Sequence, residues 1–329
     1  MVFLFRDKSI INIFFLVILS IGIHLHFFVS APVIIFNDND GVFSLFLKNY
    51  VTSLSSTGLF IFYQLIILIQ AIRLNLVLSE LRMFQNTNYT TAMAYVLLSG
   101  MLTQWCSISP ALIANFLLIW LFIKLSRLYN HPSPKTLLFN TGFIVGLSVV
   151  CYHPTAILIL VVLFALAVVR PFNLAEWVIL LMGILVPYYF LASALFLNDQ
   201  LATFKTYLPH LQWDLPPAKW DVQLIVSLSV LVAVLLAGLY CWQISNKRMV
   251  IQIRKNWGVM IVMLLILLPI PFIFLNAGIE SAFMSLVPLG AFAGNAFSFP
   301  RRLMLPNILF WLAFGVIAYH NWWFVYHNN

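Results

Sequence analysis

"MLLILLPIPFIFL", residues Met263 to Leu275, decides the fold class. A transmembrane β-strand alternates apolar and polar residues over about 10 positions, whereas this stretch is apolar throughout. Runs of the same kind recur along the whole 329-residue chain, and a membrane-spanning helix needs about 20 residues of this character. The sequence therefore predicts an all-α protein, a polytopic bundle of transmembrane helices, rather than a barrel.

The composition points the same way. The chain is 63% hydrophobic and 8% charged, with a mean hydropathy of +1.01, while a soluble domain has roughly a quarter of its residues charged. The net charge of +8 does not predict nucleic-acid binding, because the basic residues stand at the ends of apolar runs. Three cysteines without a CxxC motif make no disulfide framework. We expect membrane lipids as partners and no nucleic acid.

The N-terminal run could be a signal peptide or a membrane span. Arg6 and Lys8 precede it, and "VSA" ending at Ala31 resembles a cleavage site. The apolar run is, however, longer than the 7–15 residues of a signal peptide, and Pro32 would follow the cut. We expect it to be the first transmembrane helix and not to be cleaved.

The apolar runs predict eleven spans in a single integral membrane domain that comprises residues 1–329. The predicted spans are 9–31, 58–79, 89–106, 109–125, 137–152, 154–170, 175–197, 222–243, 257–275, 280–298 and 304–321. The fifth and sixth are short, and if they form one re-entrant pair the number falls to ten.

The basic residues predict the orientation. With the N-terminus in the cytoplasm, fourteen Lys and Arg residues fall on the cytoplasmic side and only Lys48, Lys205 and Lys219 on the outer side. The positive-inside rule favours this arrangement, which places the C-terminus outside, and we expect the inner (cytoplasmic) membrane. Most carboxylates lie on the outer side, although acids contribute little to topology. The outer acids are Asp38, Asp40, Asp199, Asp214, Asp221 and Glu280.

Two outer loops, 32–57 and 198–221, are long. Long irregular segments in a compact protein are usually functional or disordered. The first contains "GVFSLFLKNYV", whose apolar residues predict a short amphipathic helix in the membrane interface. The second mixes aromatic and charged residues with three prolines, which predicts a stiff lid at the level of the lipid head groups.

The strongest catalytic candidates are Asp38 and Asp40, in "FNDNDG" directly after the first span. Asn, Asp and Gly also favour simple turns, so a polar turn is one interpretation. The other is a general base, or a pair of oxygen ligands for a divalent cation. Side chains two residues apart on an extended segment point to the same side.

Further candidates are cations, histidines and one more acid. Lys48, His153, Lys205, His210 and Lys219 could bind a phosphate or a lipid head group, and an interfacial hydrogen-bonding role is the alternative for the histidines. His24 lies within the first span. Glu280 begins the tenth span, where a negative charge also suits a helix N-terminus.

Two resemblances follow from these residues. "TTAMAYVLLSGMLTQWCSISPALIANFLLIWLFIKL" and "FNTGFIVGLSVVCYHPTAILILVVLFALAVVRPFNLAEWVILLMGILVPYYF" run through the middle of the chain. They resemble a family of uncharacterised multi-span inner-membrane proteins of Bacteroidota. "RPFNLAEW" and "VPYYF" are the most particular pieces. This resemblance implies a class and a compartment but no activity.

The second resemblance is architectural. "FNDNDG" followed by "VFSLFLKNYV" looks like the first outer loop of GT-C membrane glycosyltransferases, which take a sugar from a polyprenyl-phosphate donor. Carried over by position, it implies that Asp38 or Asp40 activates the acceptor. The second acidic motif of that family is not evident in this chain. Two other functions stay open: a structural or assembly subunit of an envelope complex, and a transporter or flippase.

Overall fold

The computed structural model describes residues 1–7, 9–37, 40–209, 221–274, 277–300 and 302–327, the last six by their backbone alone. Within these ranges the chain is all-α, as predicted, with thirteen α-helices. They are α1 Ile11–Ile23, α2 Val42–Phe46, α3 Ser56–Glu80, α4 Thr90–Ser99, α5 Pro110–Ser126, α6 Pro134–Cys151, α7 Leu158–Val169, α8 Leu174–Leu197, α9 Val222–Asn246, α10 Ile251–Leu267, α11 Ile270–Ile273, α12 Leu286–Ser298 and α13 Met304–His327.

Shorter elements connect these helices. The 3-10 helices are Val2–Arg6, Leu25–Phe28, Thr103–Trp105, His153–Ile157, Leu201–Tyr207 and Ile279–Ser285, and a π-helical turn, Leu47–Val51, continues α2. Two strands of two residues each, β1 Val33–Ile34 and β2 Ser107–Ile108, pair in parallel.

Five helices of the described residues are long and apolar enough to cross a membrane, which makes this a membrane protein. They are Ser56–Glu80, Pro134–Cys151, Leu174–Leu197, Val222–Asn246 and Ile251–Ile273. Five shorter apolar helices accompany them: Ile11–Ile23, Val42–Val51, Thr90–Ser99, Pro110–Ser126 and His153–Val169.

The centre of the bundle is formed by α4 and α12. Every residue of α4 is buried, and in α12 only the last residue is not. A helix that is apolar all round belongs inside a protein, and small residues let two such helices approach closely. Gly290 and Gly294 of α12 lie against Tyr95 and Thr91 of α4. Tyr95 also donates to the Gln70 side chain of α3 (2.7 Å), so a polar contact holds the centre together.

Helices α6 and α8 form the closest pair. The buried face of α8 contains Leu180, Gly183, Ile184 and Pro187, whose spacing of three and four residues marks one side of a helix. Cβ atoms at Gly142 and Gly146 of α6 would overlap the Leu180 and Ile184 carbonyls. This is the GxxxG arrangement of membrane helices. Pro187 lies inside α8 without ending it.

Two ends of the bundle can be told apart. The N-terminal end is the one where Arg6 lies, and its Nε and Nη2 donate to the Phe297 carbonyl at the end of α12 (2.9 and 2.7 Å). The opposite end is the one where β1 and β2 pair. There the side-chain amide of Asn321 in α13 donates to the Ile23 carbonyl at the end of α1 (2.9 Å).

Several predicted spans extend too far at the opposite end. The third was predicted to continue to residue 106, but α4 ends at Ser99, and the chain then turns so that Ser107 and Ile108 can pair with β1. The first helix likewise ends at Ile23 and the tenth begins only at Leu286. Apolar 3-10 turns occupy the rest of these predicted spans, and their composition does not distinguish them from α-helix.

Candidate functional site

The carboxylate of Asp40 is the centre of the candidate site. The segment after α1 is fixed by β1, where Ile35 N also donates to the Ile108 carbonyl (3.0 Å). It then makes a turn in which Asp40 N donates to the Asn37 carbonyl (3.2 Å). The Asn37 amide donates to Oδ2 of Asp40 (3.1 Å). These two hydrogen bonds join Asn37 and Asp40, and both interpretations of the Asp38 and Asp40 pair stay predictions because Asp38 lies outside the described residues.

Gly41 brings this turn against the end of α6. Its φ is +105°, a conformation that favours glycine. A Cβ there would lie 2.7 Å from the carbonyl oxygens of both Val150 and Cys151. Next to this contact, His153 N donates to the Asp40 carbonyl (3.2 Å). The absence of a side chain at Gly41 thus allows Asp40 to approach Tyr152 and His153.

Glu280 joins this group from the other half of the chain. It lies on the helix Ile279–Ser285, which is held to α5 because the Asn115 amide donates to the Phe283 carbonyl (3.1 Å). Its carboxylate lies over Gly278. The negative charge of Asp40 acts on Glu280, and both carboxylates act on Tyr152. The two acids and the tyrosine are therefore neighbours.

The pKa values of these groups are all raised. Burial raises the pKa of Asp40 to about 6, against the effect of the Asn37 hydrogen bond. Burial raises the pKa of Glu280, and the charge of Asp40 raises it further. Burial is the main cause that raises the pKa of Tyr152 well above its usual range, and the charges of the two carboxylates raise it further. Perturbed groups that cluster at one place are typical of functional sites, although ion-pair networks also produce them.

An apolar cavity of about 290 Å³ lies between the helix Ile279–Ser285 and helices α9 and α11, and neither Asp40 nor Glu280 lines it. Ile279, Ala282 and Ser285 line it from the same short helix that carries Glu280. Trp105 lines it as well, packing edge-on against Phe283 with 5.8 Å between ring centroids. The Trp105 indole N–H is buried and has no hydrogen-bond partner among the described residues.

Another cavity, of about 230 Å³, lies on the other side of the segment Thr103–Ser107. Its wall contains His26 and His320, and His26 Nδ1 lies 2.5 Å from Oδ1 of Asn321. Cavities with apolar walls and a few polar groups are the usual form of small-molecule sites. The opposite end of the bundle therefore offers two recesses, and the described residues of their walls include no carboxylate.

Other predicted site residues lie elsewhere. Lys205 is exposed on the helix Leu201–Tyr207, which packs against α8. Lys48 is exposed on the π-helical turn that continues α2, so a short helix is present where the sequence predicted one. His24 is fully buried and hydrogen-bonded to the Ser20 carbonyl (2.9 Å), with Tyr63 edge-on to its ring, which is the arrangement of a structural histidine.

Some predictions lie outside the described residues. Asp38, His210 and Lys219 are among them, so Asp38 and Asp40 as a shared cation site remain a prediction. Among the described residues no three His, Cys, Asp or Glu side chains are grouped to hold a metal ion. Tyr152 was missed from the sequence, where only its position beside His153 could have drawn attention to it.

Searches with this chain against protein-family models, curated proteins and solved structures each found no match. The chemistry of the site must therefore be argued from its own geometry.

Proposed function

We propose that the protein transfers a sugar from a polyprenyl-phosphate donor at the outer face of the membrane, with Asp40 as general base. The observation that carries this proposal is the position of the Asp40 carboxyl, half-buried in a segment that packs against the end of α6, where burial raises its pKa to about 6. A general base is most effective when its pKa lies near the working pH. At neutral pH Asp40 is mostly ionised and still basic enough to accept a proton.

The proposed step is a substitution at the anomeric carbon of the sugar. Asp40 accepts the proton of an acceptor hydroxyl as that oxygen forms a bond to the anomeric carbon. The bond between this carbon and the phosphate oxygen breaks, and polyprenyl phosphate leaves with the electron pair. Glu280, whose pKa is raised by burial and by Asp40, holds its proton more readily than a free carboxyl and can donate a hydrogen bond to the sugar.

The apolar cavity supports a lipid-linked donor. A hydrocarbon chain in the cavity would contact Ile279, Ala282 and Ser285, which belong to the same short helix as Glu280. The unpartnered Trp105 N–H in the cavity wall could then donate to a donor oxygen. Burial of that N–H without a partner costs about 1–3 kcal/mol, which an occupied site would recover.

The proposal includes a topology of eleven spans in the inner membrane, with the N-terminus in the cytoplasm. The fourteen-to-three distribution of basic residues supports it. In a chain lacking its three native cysteines, a cysteine at Gln200 should react with an impermeant thiol reagent in intact cells, and one at Lys247 should not. The reverse pattern would overturn the topology.

A reconstituted assay tests the activity. Protein in liposomes would be given radiolabelled polyprenyl-phosphate sugars together with a membrane-lipid extract as acceptor, and the release of polyprenyl phosphate would be measured. Asp40→Asn should lower the rate by about 10²–10⁴-fold, the usual contribution of a general base. Asp199→Asn, at an exposed carboxylate, is the matched control and should retain full activity. Full activity of Asp40→Asn would overturn the proposal.

A further inference from the structure

A polar cavity of about 530 Å³ lies at the N-terminal end of the bundle, remote from the carboxylates. The helix Val2–Arg6, the connection between α3 and α4, and the last turns of α9 and α12 enclose it. Amide and hydroxyl side chains make up much of its wall. These are Gln85, Asn86, Asn88, Ser245, Asn295 and Ser298.

Two arginines give this cavity a positive charge. Arg6 and Arg248 both line it, and none of the described lining residues is an Asp or a Glu. Arg6 is held in the wall by its two hydrogen bonds to the Phe297 carbonyl. Arg248 is exposed at the end of α9, and within the described ranges it makes no ion pair. Its guanidinium is therefore available to a ligand.

The amide of Asn295 provides an independent sign of a ligand. Asn295 is only 3% exposed, yet its Nδ2 has no hydrogen-bond partner among the described residues. The Asn88 side chain in the same wall, in contrast, has hydrogen-bond partners. Its Nδ2 donates to the Asn86 carbonyl, and its Oδ1 accepts from the N–H and the hydroxyl of Thr90. An unpaired buried donor costs about 1–3 kcal/mol. Nδ2 itself has no exposed surface, so a ligand oxygen would reach it only after the amide group rotates.

The electrostatic effect of the helix ends around the cavity is unfavourable for a bound anion. The C-terminal ends of α9 and α12 direct carbonyl groups, with their partial negative charge, towards this region. Arg6 offsets this effect at α12, because it donates twice to Phe297. The net charge of the site then depends on Arg248.

We infer that this cavity binds a phosphate group, with Arg248 and Arg6 as charged donors and Asn295 as a neutral donor. The planar guanidinium donates two hydrogen bonds in the geometry that phosphate oxygens accept. The phosphate could belong to a phospholipid head group or to a water-soluble compound, and both present the same chemistry. This inference does not depend on the proposed transfer activity at the opposite end.

The test uses the purified full-length protein and two paired substitutions. Arg248→Gln removes a charge from the cavity, and Arg254→Gln removes one from an exposed position on α10 outside it. Asn86→Asp places a negative charge in the wall, whereas Thr87→Asp places one on the adjacent exposed residue, which does not line the cavity. All four side chains are exposed to solvent, so the substitutions should leave folding intact.

Two probes distinguish the source of the phosphate. Native mass spectrometry would compare retention of phosphatidic acid with that of phosphatidylcholine, and thermal unfolding would be followed during titration with inorganic pyrophosphate. At least one phosphate probe should bind, and Arg248→Gln and Asn86→Asp should each weaken it about tenfold, the effect of one charged hydrogen bond. Arg254→Gln and Thr87→Asp should leave binding unchanged. Selective retention of phosphatidic acid alone identifies a lipid, and stabilisation by pyrophosphate identifies a soluble ligand.

Two results would overturn the inference. One is failure of the wild-type protein to bind either phosphate probe. The other is an equal loss of binding in the cavity variants and in their controls, because the charge of the whole end of the bundle would then be responsible rather than the cavity.

Discussion

The two ends of the bundle use charged side chains in opposite ways. At the N-terminal end, Arg170 donates to Glu176 (3.0 Å) and to the Leu128 carbonyl (3.1 Å), and Lys255 donates to the Val169 carbonyl (2.8 Å). At the opposite end, Asp40 and Glu280 are surrounded by protein but make no ion pair within the described part of the chain.

The difference shows how the few charges of a membrane protein divide between stability and chemistry. Basic side chains near helix C-terminal ends satisfy carbonyl groups that have no intrahelical partner. Carboxylates that are buried without a cation have raised pKa values and can change protonation near neutral pH. A charge with a partner thus holds the fold together, and a charge without one can react.

The largest expected effect concerns the stabilising end. Arg170→Leu would leave Glu176, whose side chain is 10% exposed, without its partner. Removing one member of a buried ion pair typically costs about 3–5 kcal/mol, so the free energy of unfolding should fall by about that amount in detergent. Arg73→Leu is the control, because Arg73 and Glu80 are 3.9 Å apart with side chains 47% and 58% exposed. It should cost less than about 1 kcal/mol, and equal losses would contradict the comparison.

The second-largest effect is expected at Gly41, which allows the Asp40 segment to pack against the end of α6. Gly41→Ala should destabilise the protein by about 1–3 kcal/mol, since its φ of +105° is strained for alanine and the new methyl group meets the Val150 and Cys151 carbonyls. Sugar transfer should fall as well, because Asp40 is displaced. Gly22→Ala, where nothing lies within 4 Å, should leave stability and activity unchanged. Thermal unfolding measures stability, and the transfer assay measures activity. Equal stability and equal activity in the two variants would disprove the role of Gly41.

A change of pH should have a smaller effect on the transfer rate. If the ionised form of Asp40, with a pKa of about 6, is the base, the ionised fraction rises about tenfold between pH 5 and pH 7. The transfer rate should rise by the same factor over this range and reach a plateau above pH 7. The residual rate of Asp40→Asn should lack this dependence. A wild-type rate that is constant from pH 5 to pH 7 would exclude Asp40 as the titrating base.

The smallest effect is on the stability of Asp40→Asn. The folded protein holds the Asp40 proton more tightly than the unfolded chain does, because burial raises the pKa from 3.8 to about 6. Stability from this group is therefore greatest below about pH 4 and falls as the pH rises to about 6. Asp40→Asn should remove that fall and unfold at the same or a slightly higher temperature at pH 7. A clearly lower unfolding temperature would mean that the ionised carboxylate stabilises the fold.

Sequence reasoning reached the fold class but not the ends of the helices. Apolar runs such as Met263–Leu275 require helices in a bilayer, and α10 and α11 occupy most of this stretch. At the opposite end the same composition forms 3-10 turns, and only contacts between distant segments, such as Ile34 with Ile108, decide where each helix stops. Local patterns contain no information about such contacts.

The candidate site was predicted as separate residues rather than as a group. Asp40 and Glu280 were singled out because carboxylates are rare in this chain. They lie 240 positions apart in the sequence, so their approach depends on the packing of distant segments such as α5 and Ile279–Ser285. The cavity beside Arg248 was missed, because basic residues at that end already had an explanation in topology. A basic residue such as Arg248 can contribute both to membrane topology and to a binding cavity.

The parallel pairing of Val33–Ile34 with Ser107–Ile108 also has a consequence for how the protein is made. The ribosome completes the Asp40 segment early, but its partners at Ser107, Tyr152 and Glu280 follow one after another. At about 5–20 residues per second, the interval from Asp40 to Glu280 takes roughly 10–50 s. A nascent chain that stops before Ile279 can insert most of its helices and still lack Glu280. The group of Asp40, Tyr152 and Glu280 is therefore completed late in biosynthesis.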